Sequence, residues 1–311
     1  MLLTAFEQRR DRLMAVPIIL SMSQLLSLEA PDHARPVRLR TGRGVFAALD
    51  VPPAGPSSPV RGTALLVPGF MGSKEDFLPM LPALSAGGVR VVAVDCRGQY
   101  ETGDASPAPS YARDDLAADL VAVTRALDAG PVHLLGHSYG GSLVRAAVIA
   151  TGGDPGLWAS ATLMNFGPAC VSPWQQERLN LLLSVIGSMP LAEMWPFVRT
   201  KDATTPPDVE RFLELRWLAN SPSQLAALAR HMLDETDTTE ALAGTGVPLS
   251  VVSGTPDETW APDAVERMAH RLGAAFVRIE GGGHSPNVHR PAEAASALLG
   301  FWLTRQGAAV A

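Results

Sequence analysis

Val132-His133-Leu134-Leu135-Gly136-His137-Ser138-Tyr139-Gly140-Gly141 decides the fold. Val132 to Leu135 reads as a buried strand, and Tyr139 to Ala150 as a helix with apolar positions at helical spacing. Between them Gly136, Ser138 and Gly140 spell G-x-S-x-G in a strand–turn–helix setting. A turn this tight strains the serine backbone, and glycines on either side let strand and helix approach closely. The Ser138 hydroxyl is thereby lifted out at the C-terminal edge of a sheet, beside the positive end of a helix dipole. A five-residue pattern recurs by chance, so the strand before it and the helix after it carry the weight. The plainer alternative is an ordinary βα turn with packing glycines. His133 sits within the strand and His137 is locked beside the serine, so both read as packing residues.

Outward from this segment, short apolar runs alternate with helical stretches. Thr63 to Val67, Val89 to Val94 and Ala159 to Met164 read as strands; Lys74 to Ser85 and Arg113 to Leu127 read as helices. The pattern returns with strand Leu249 to Ser253, helix Pro262 to Leu272, strand Ala275 to Ile279 and helix Pro291 to Thr304. Such alternation predicts an α/β fold, a mostly parallel sheet with helices on both faces. Val37 to Asp50 suggests an antiparallel hairpin at the sheet edge, and Pro52 to Pro59 a loop. Residues 167–239 carry no strand signal and read as helices broken at prolines, with Trp174, Trp195 and Trp217 among them. The expected organisation is a core of residues 31–166 and 240–311, a helical cap of residues 167–239, and an N-terminal helical extension of residues 1–30.

Composition narrows the function classes. The chain has 311 residues, 47% of them hydrophobic, and a net charge of −6. Mild acidity without Lys/Arg blocks argues against nucleic acid, which demands a concentrated basic surface. Cys96 and Cys170 form no CxxC and no disulfide framework, so a cytoplasmic location is the simpler reading. Gln8-Arg9-Arg10-Asp11-Arg12 before the apolar run Leu13 to Leu26 loosely outlines a secretion signal; the alternative is an amphipathic helix on the core or cap. No stretch is long and apolar enough for a membrane span. No metal-ligand spacing (HxH, HExxH or paired cysteines) and no phosphate-binding glycine loop stands out, and the chemistry below needs no cofactor.

A nucleophilic serine needs a base within hydrogen-bond reach and a carboxylate to orient it. Val252-Ser253-Gly254-Thr255-Pro256-Asp257 places an aspartate just past a buried strand, and Ile279-Glu280-Gly281-Gly282-Gly283-His284 places a histidine just past the next. In a parallel sheet both fall on the edge that carries Ser138. Asp257 as a turn or N-cap residue and His284 as a surface-loop histidine are the alternatives, and Glu258 is the rival carboxylate. The end of the preceding strand offers Asn165, which carries no charge.

These segments resemble the α/β-hydrolase family, over a span from about Ala64 to Phe301. Ser138, Asp257 and His284 follow the family's Ser…Asp…His order. Leu66-Val67-Pro68-Gly69-Phe70-Met71-Gly72-Ser73 is similar to the family's oxyanion loop, although Pro68 stands where a histidine that often braces the loop is usual. The resemblance implies that the backbone N–H groups of Phe70 and Tyr139 stabilise the oxyanion. Asp95-Cys96-Arg97-Gly98-Gln99 resembles the family's D-x-R-G turn, read as structural with Asp95 and Arg97 as braces. A helical lid in this family covers the site from the position that residues 167–239 occupy. Met71, Trp174, Trp195 and Trp217 are candidates for a substrate pocket, against the alternative that the tryptophans form the cap's own core.

The expected activity is hydrolysis of an ester or thioester of a small hydrophobic acyl compound through an acyl-Ser138 intermediate. Acyl transfer, lyase chemistry and C–C bond hydrolysis use similar residues on this fold, and a non-catalytic binding protein is a further alternative. Dehalogenase and epoxide hydrolase chemistry is disfavoured, because those enzymes place an aspartate where this chain has Ser138.

Overall fold

A computed structural model describes residues 25–55, 60–104, 110–199 and 204–304. One sheet of eight strands has the order β1-β2-β4-β3-β5-β6-β7-β8. β1 (Arg35–Thr41) and β2 (Gly44–Val51) form an antiparallel hairpin, and β2 pairs antiparallel with β4 (Arg90–Val94). From β4 onward the pairing is parallel through β3 (Thr63–Val67), β5 (Val132–His137), β6 (Trp158–Met164), β7 (Leu249–Thr255) and β8 (Ala275–Glu280).

The strand sequences explain the layers. β3 and β5 are buried along their whole length, as strands covered on both faces must be. Side chains alternate across the sheet, so Leu65, Val67 and Leu134 join one hydrophobic core while Leu66 and Leu135 join the other. Helices α1 (Leu81–Ala86), α2 (Arg113–Ala126) and α3 (Tyr139–Ala150) alternate with the first strands. Helices α4 (Pro173–Val185), α5 (Leu191–Val198), α6 (Pro207–Ala219), α7 (Pro222–Leu233) and α8 (Thr239–Ala243) fill the interval between β6 and β7. α9 (Pro262–Leu272), α10 (Pro286–His289) and α11 (Pro291–Thr304) complete the chain as described. Trp302 of α11 is fully buried and stacks on His133 of β5 at 5.4 Å between ring centroids.

β3 lies between β4 and β5, so the direction of sheet growth reverses there. At such a switch point the loops beyond the strand ends part and leave a crevice. The loops after β3 and β5 therefore flank a single cleft, and those after β6, β7 and β8 follow along the same edge.

Three expectations need correction. The helix expected over Lys74 to Ser85 is a 3-10 turn over Lys74–Met80 followed by the short α1. Pro79 and Pro82 each remove an N–H that a continuous α-helix would use. The strands carrying the site run further than the apolar residues suggested: β5 continues through Gly136 and His137, and β7 through Gly254 and Thr255. Neighbouring strands complete their hydrogen bonds, which hydropathy does not register. Of the expected helical extension over residues 1–30, residues 25–30 are not helical, and residues 1–24 lie outside the described residues, as do residues 56–59 of the proline-rich loop.

Candidate active site

Ser138 joins β5 to α3 with φ 53° and ψ −125°, a conformation that side-chain-bearing residues rarely adopt. Its N–H donates to Met164 O at 2.8 Å, tying the strained turn to β6. Two glycines make the turn possible. A Cβ on Gly136 would stand 2.2 Å from Gly140 O, and one on Gly140 would stand 2.4 Å from Val67 O. Any side chain at either position would force helix α3 away from the sheet.

Ser138 Oγ lies 2.9 Å from His284 Nε2, and His284 Nδ1 lies 3.0 Å from each carboxylate oxygen of Asp257. A carboxylate only accepts, so Nδ1 carries the ring proton and Nε2 presents its lone pair to the serine. Asp257 is buried, which by itself would raise its pKa; His284, the Asn165 side chain and the Thr259 N–H together outweigh burial and hold it below the usual carboxylate range. The sequence therefore sends three separate strand ends, those of β5, β7 and β8, to one point.

Two residues set aside as non-catalytic support this group. Asn165, just past β6, has φ 45° and is fully buried. The two hydrogens of its Nδ2 are shared among Asp257 Oδ2 at 3.0 Å, Gly254 O at 3.1 Å and Gly283 O at 3.0 Å, while its Oδ1 accepts from Gly254 N at 2.8 Å. One amide thus joins the loop of the carboxylate to the loop of the imidazole. His137 Nε2 donates to the His284 backbone carbonyl at 2.8 Å. Burial, and then the neighbouring His284, lower the His137 pKa to about 4, so it stays neutral. Trp260 stacks against the His284 ring at 6.1 Å between centroids, and its own indole N–H donates to Ala169 O at 2.9 Å.

The loop after β3 closes the cleft. A Cβ on Gly69 would fall 3.0 Å from Ser138 Cβ, so the Gly69–Phe70 peptide lies against the serine. Gly69 O accepts from Gln99 Nε2 at 2.9 Å and from Gly72 N at 3.1 Å. In a trans peptide the C=O and the next N–H point opposite ways, so fixing Gly69 O also fixes the Phe70 N–H. Gln99 is 1% exposed, and its Oε1 accepts from Cys96 N at 2.9 Å. It supplies the brace that Pro68 cannot. Asp95 holds Lys74 through both its N–H and its ammonium, at 2.7 and 2.9 Å, and Arg97 pairs with Asp119 of α2. Tyr139 opens α3, where backbone N–H groups have no acceptor within the helix.

The four pocket candidates have different surroundings. Met71 is buried with φ 58° in the loop after β3. Trp217 is 1% exposed and donates its indole N–H to Leu191 O within the helical insertion, and Trp195 is also buried. Trp174 is partly exposed beneath the Arg178 guanidinium, 3.2 Å from the ring centroid. Asn165 and Gln99 were within reach of sequence reading only as positions: each follows a strand that flanks β5 or β3, but nothing local says what its amide touches.

Comparison with known proteins agrees with the fold. The profile of the Alpha/beta hydrolase family matches residues 64–297, and the chain belongs to that family of hydrolytic enzymes. No curated protein matches the chain. Among solved structures, the chain is similar to a bromoperoxidase from Bacillus anthracis, with TM-score 0.70 and 19% identity over 86% of this chain and 99% of that one. It is also similar to a thermophilic esterase from Thermogutta terrifontis, with TM-score 0.66 and 24% identity over 88% and 99%. A thioesterase domain from the curacin biosynthetic pathway superposes with TM-score 0.63 and 20% identity over 86% and 99%. These likenesses establish the fold.

Proposed function

We propose that the chain is a serine hydrolase that cleaves an ester or thioester of a small hydrophobic substrate through an acyl-Ser138 intermediate. One observation carries this: the unbroken line from Asp257 through His284 to Ser138, with contacts of 3.0 and 2.9 Å. His284 takes the Ser138 proton as Oγ attacks the acyl carbon, and returns it to the leaving alcohol or thiol. Asp257 holds the imidazole tautomer and stabilises the imidazolium. The N–H groups of Phe70 and Tyr139 receive the tetrahedral oxyanion, and each such donor lowers the barrier by about 3 kcal/mol. Water then repeats the sequence on the acyl-enzyme, with His284 as base. Solved neighbours named as an esterase and a thioesterase agree with this class of bond. Helices α4 to α7 form a cap over the cleft, and substrate enters beneath them.

The test is turnover of a chain-length series of p-nitrophenyl esters and acyl thioesters by wild type, Ser138→Ala and Asp257→Asn. Both variants are expected to lose about 10⁴-fold or more in kcat. A fluorophosphonate should add to Ser138 in wild type alone. Ser138→Ala turning over as fast as wild type would remove Ser138 from the mechanism.

A further inference from the structure

Helix α7 reaches both sides of the cleft. At its N-terminal end Ser221 N donates to Gly98 O at 2.9 Å, and Gln224 packs directly on Gly98, where a Cβ would come within 2.6 Å. The next residue is Gln99, whose Nε2 holds Gly69 O and so aims the Phe70 N–H. At its C-terminal end, His231 Nδ1 and the Tyr139 hydroxyl are hydrogen-bonded at 2.6 Å with their rings stacked. Tyr139 is buried, and its N–H is the second oxyanion donor proposed above.

The C-terminal contact belongs to a wider clamp. Tyr139, Ser142 and Arg145 are spaced by three and share one face of α3. Ser142 Oγ donates to Glu235 at 2.6 Å, Arg145 pairs with Glu235 and also donates to Thr236 O, and Arg113 donates to His231 O at 3.1 Å. Glu235 is 6% exposed, so this is an interior contact. A purely packing role would need only apolar surface on these helices. Instead, Gln99 ends on Gly69 O, the carbonyl of the peptide whose N–H belongs to Phe70, and His231 ends on the phenol of Tyr139.

We propose that α7 is a strut for the oxyanion hole, and that Gln99 and His231 are its positioning residues. Gln99 sets the Phe70 N–H from one side and His231 sets Tyr139 from the other, so the insertion controls catalytic geometry and not only access. The proposal rests on the acyl-Ser138 chemistry above. Misplacing one donor weakens binding of the tetrahedral state without weakening binding of the planar substrate, so kcat falls while KM holds.

The experiment uses the full chain, with Gln99→Met, His231→Leu, His231→Asn and Tyr139→Phe. Three quantities are measured: kcat and KM on the best p-nitrophenyl ester, affinity for an aliphatic trifluoromethyl ketone that adds to the serine, and Tm. Gln99→Met, His231→Leu and Tyr139→Phe are each expected to lose about tenfold in kcat, with KM unchanged, and to lose ketone affinity in the same proportion. His231→Asn, whose amide can still hydrogen-bond the phenol from the Nδ1 position, should recover most of the loss. Tyr139→Phe removes a single oxygen and keeps the ring, so it stays informative if the others fold poorly. Wild-type kcat and ketone affinity in Tyr139→Phe and His231→Leu would overturn the strut, as would losses that follow Tm instead of ketone affinity. If wild type itself forms no ketone or fluorophosphonate adduct, the serine chemistry falls and the strut with it.

Discussion

Helices α6 and α7 and helices α4 and α5 belong to one insertion, yet they meet the core through different forces. The first pair is held by buried charge. Arg216 of α6 pairs with Asp76, each side chain 1% exposed, and Glu235 just past α7 pairs with Arg145 of α3. The second pair follows an anchored segment: Ser172 N donates to Thr259 O, Ser172 Oγ to Glu258 O, and Arg145 to Pro168 O. Beyond that anchor, α4 packs on α7 and α5 on α6, and among the described residues neither α4 nor α5 gives an ion pair to the core. A buried ion pair adds little net stability over an apolar pair, but losing one partner strands the other charge in the interior. Lifting α6 and α7 is therefore costly, while α4 and α5, held by packing and by the Trp217 hydrogen bond to Leu191 O, part at lower cost. The half that touches Gly98 and Tyr139 is bolted to the core by buried charge, and the other half is not.

The largest effect of any single substitution on stability should come from unbolting. Glu235→Ala leaves Arg145 unpaired at 3% side-chain exposure, and a loss of about 3–5 kcal/mol is expected in denaturant melts. A loss under about 1 kcal/mol would erase the distinction between the two halves.

Acid should narrow the same difference from the other side. Burial lowers the pKa of His133 to about 4; His137, also buried and beside His284, falls to about 4 as well. The unfolded chain binds protons at these sites from about pH 6.5 downward, the folded chain only near 4. Stability is thus fully present above pH 6.5 and is lost as pH falls toward 4, by on the order of 3 kcal/mol per histidine. Burial and Arg113 also depress the His231 pKa, against Glu235 and Asp234, so α7 is weakened in the same direction. Helices α4 and α5 contain no histidine. Melts at pH 5 and pH 7 should show the core and α7 losing protection in amide exchange while α4 and α5 change little; equal stability at both values would contradict the account.

The smallest effect is expected on α4. Arg178→Ala removes a cation–π contact with Trp174 at the surface, worth about 0.5–1 kcal/mol. A drop as large as that of Glu235→Ala would mean that α4 is fastened to the core after all.

Legibility in the sequence follows the same division. The strand–turn–helix around Ser138, the aspartate after β7 and the histidine after β8 were all readable, because a parallel sheet sends the residue after every strand to one edge. The end of β6, the other place where this fold can carry a carboxylate, offered only the uncharged Asn165, which favoured Asp257. What Asn165 does there was not readable: polar contacts with Gly254, Asp257 and Gly283, all more than eighty residues away, have no local signal. Gln99 was passed over for a related reason, as a side chain next to a recognised turn whose partner lies thirty residues upstream.

The sequence by itself determined the order of strands and helices, the strained serine turn and the three residues that meet there. Hydrophobic periodicity and glycine placement are local, and strand direction turns local positions into shared ones. Only the tertiary structure decided which polar side chains brace that meeting point, that the Trp217 indole bonds to Leu191 O within the insertion, and that α7 spans from Gly98 to Tyr139. Those outcomes depend on which buried donor finds which acceptor across the fold, and that pairing is fixed by three-dimensional proximity, which spacing along the chain does not encode.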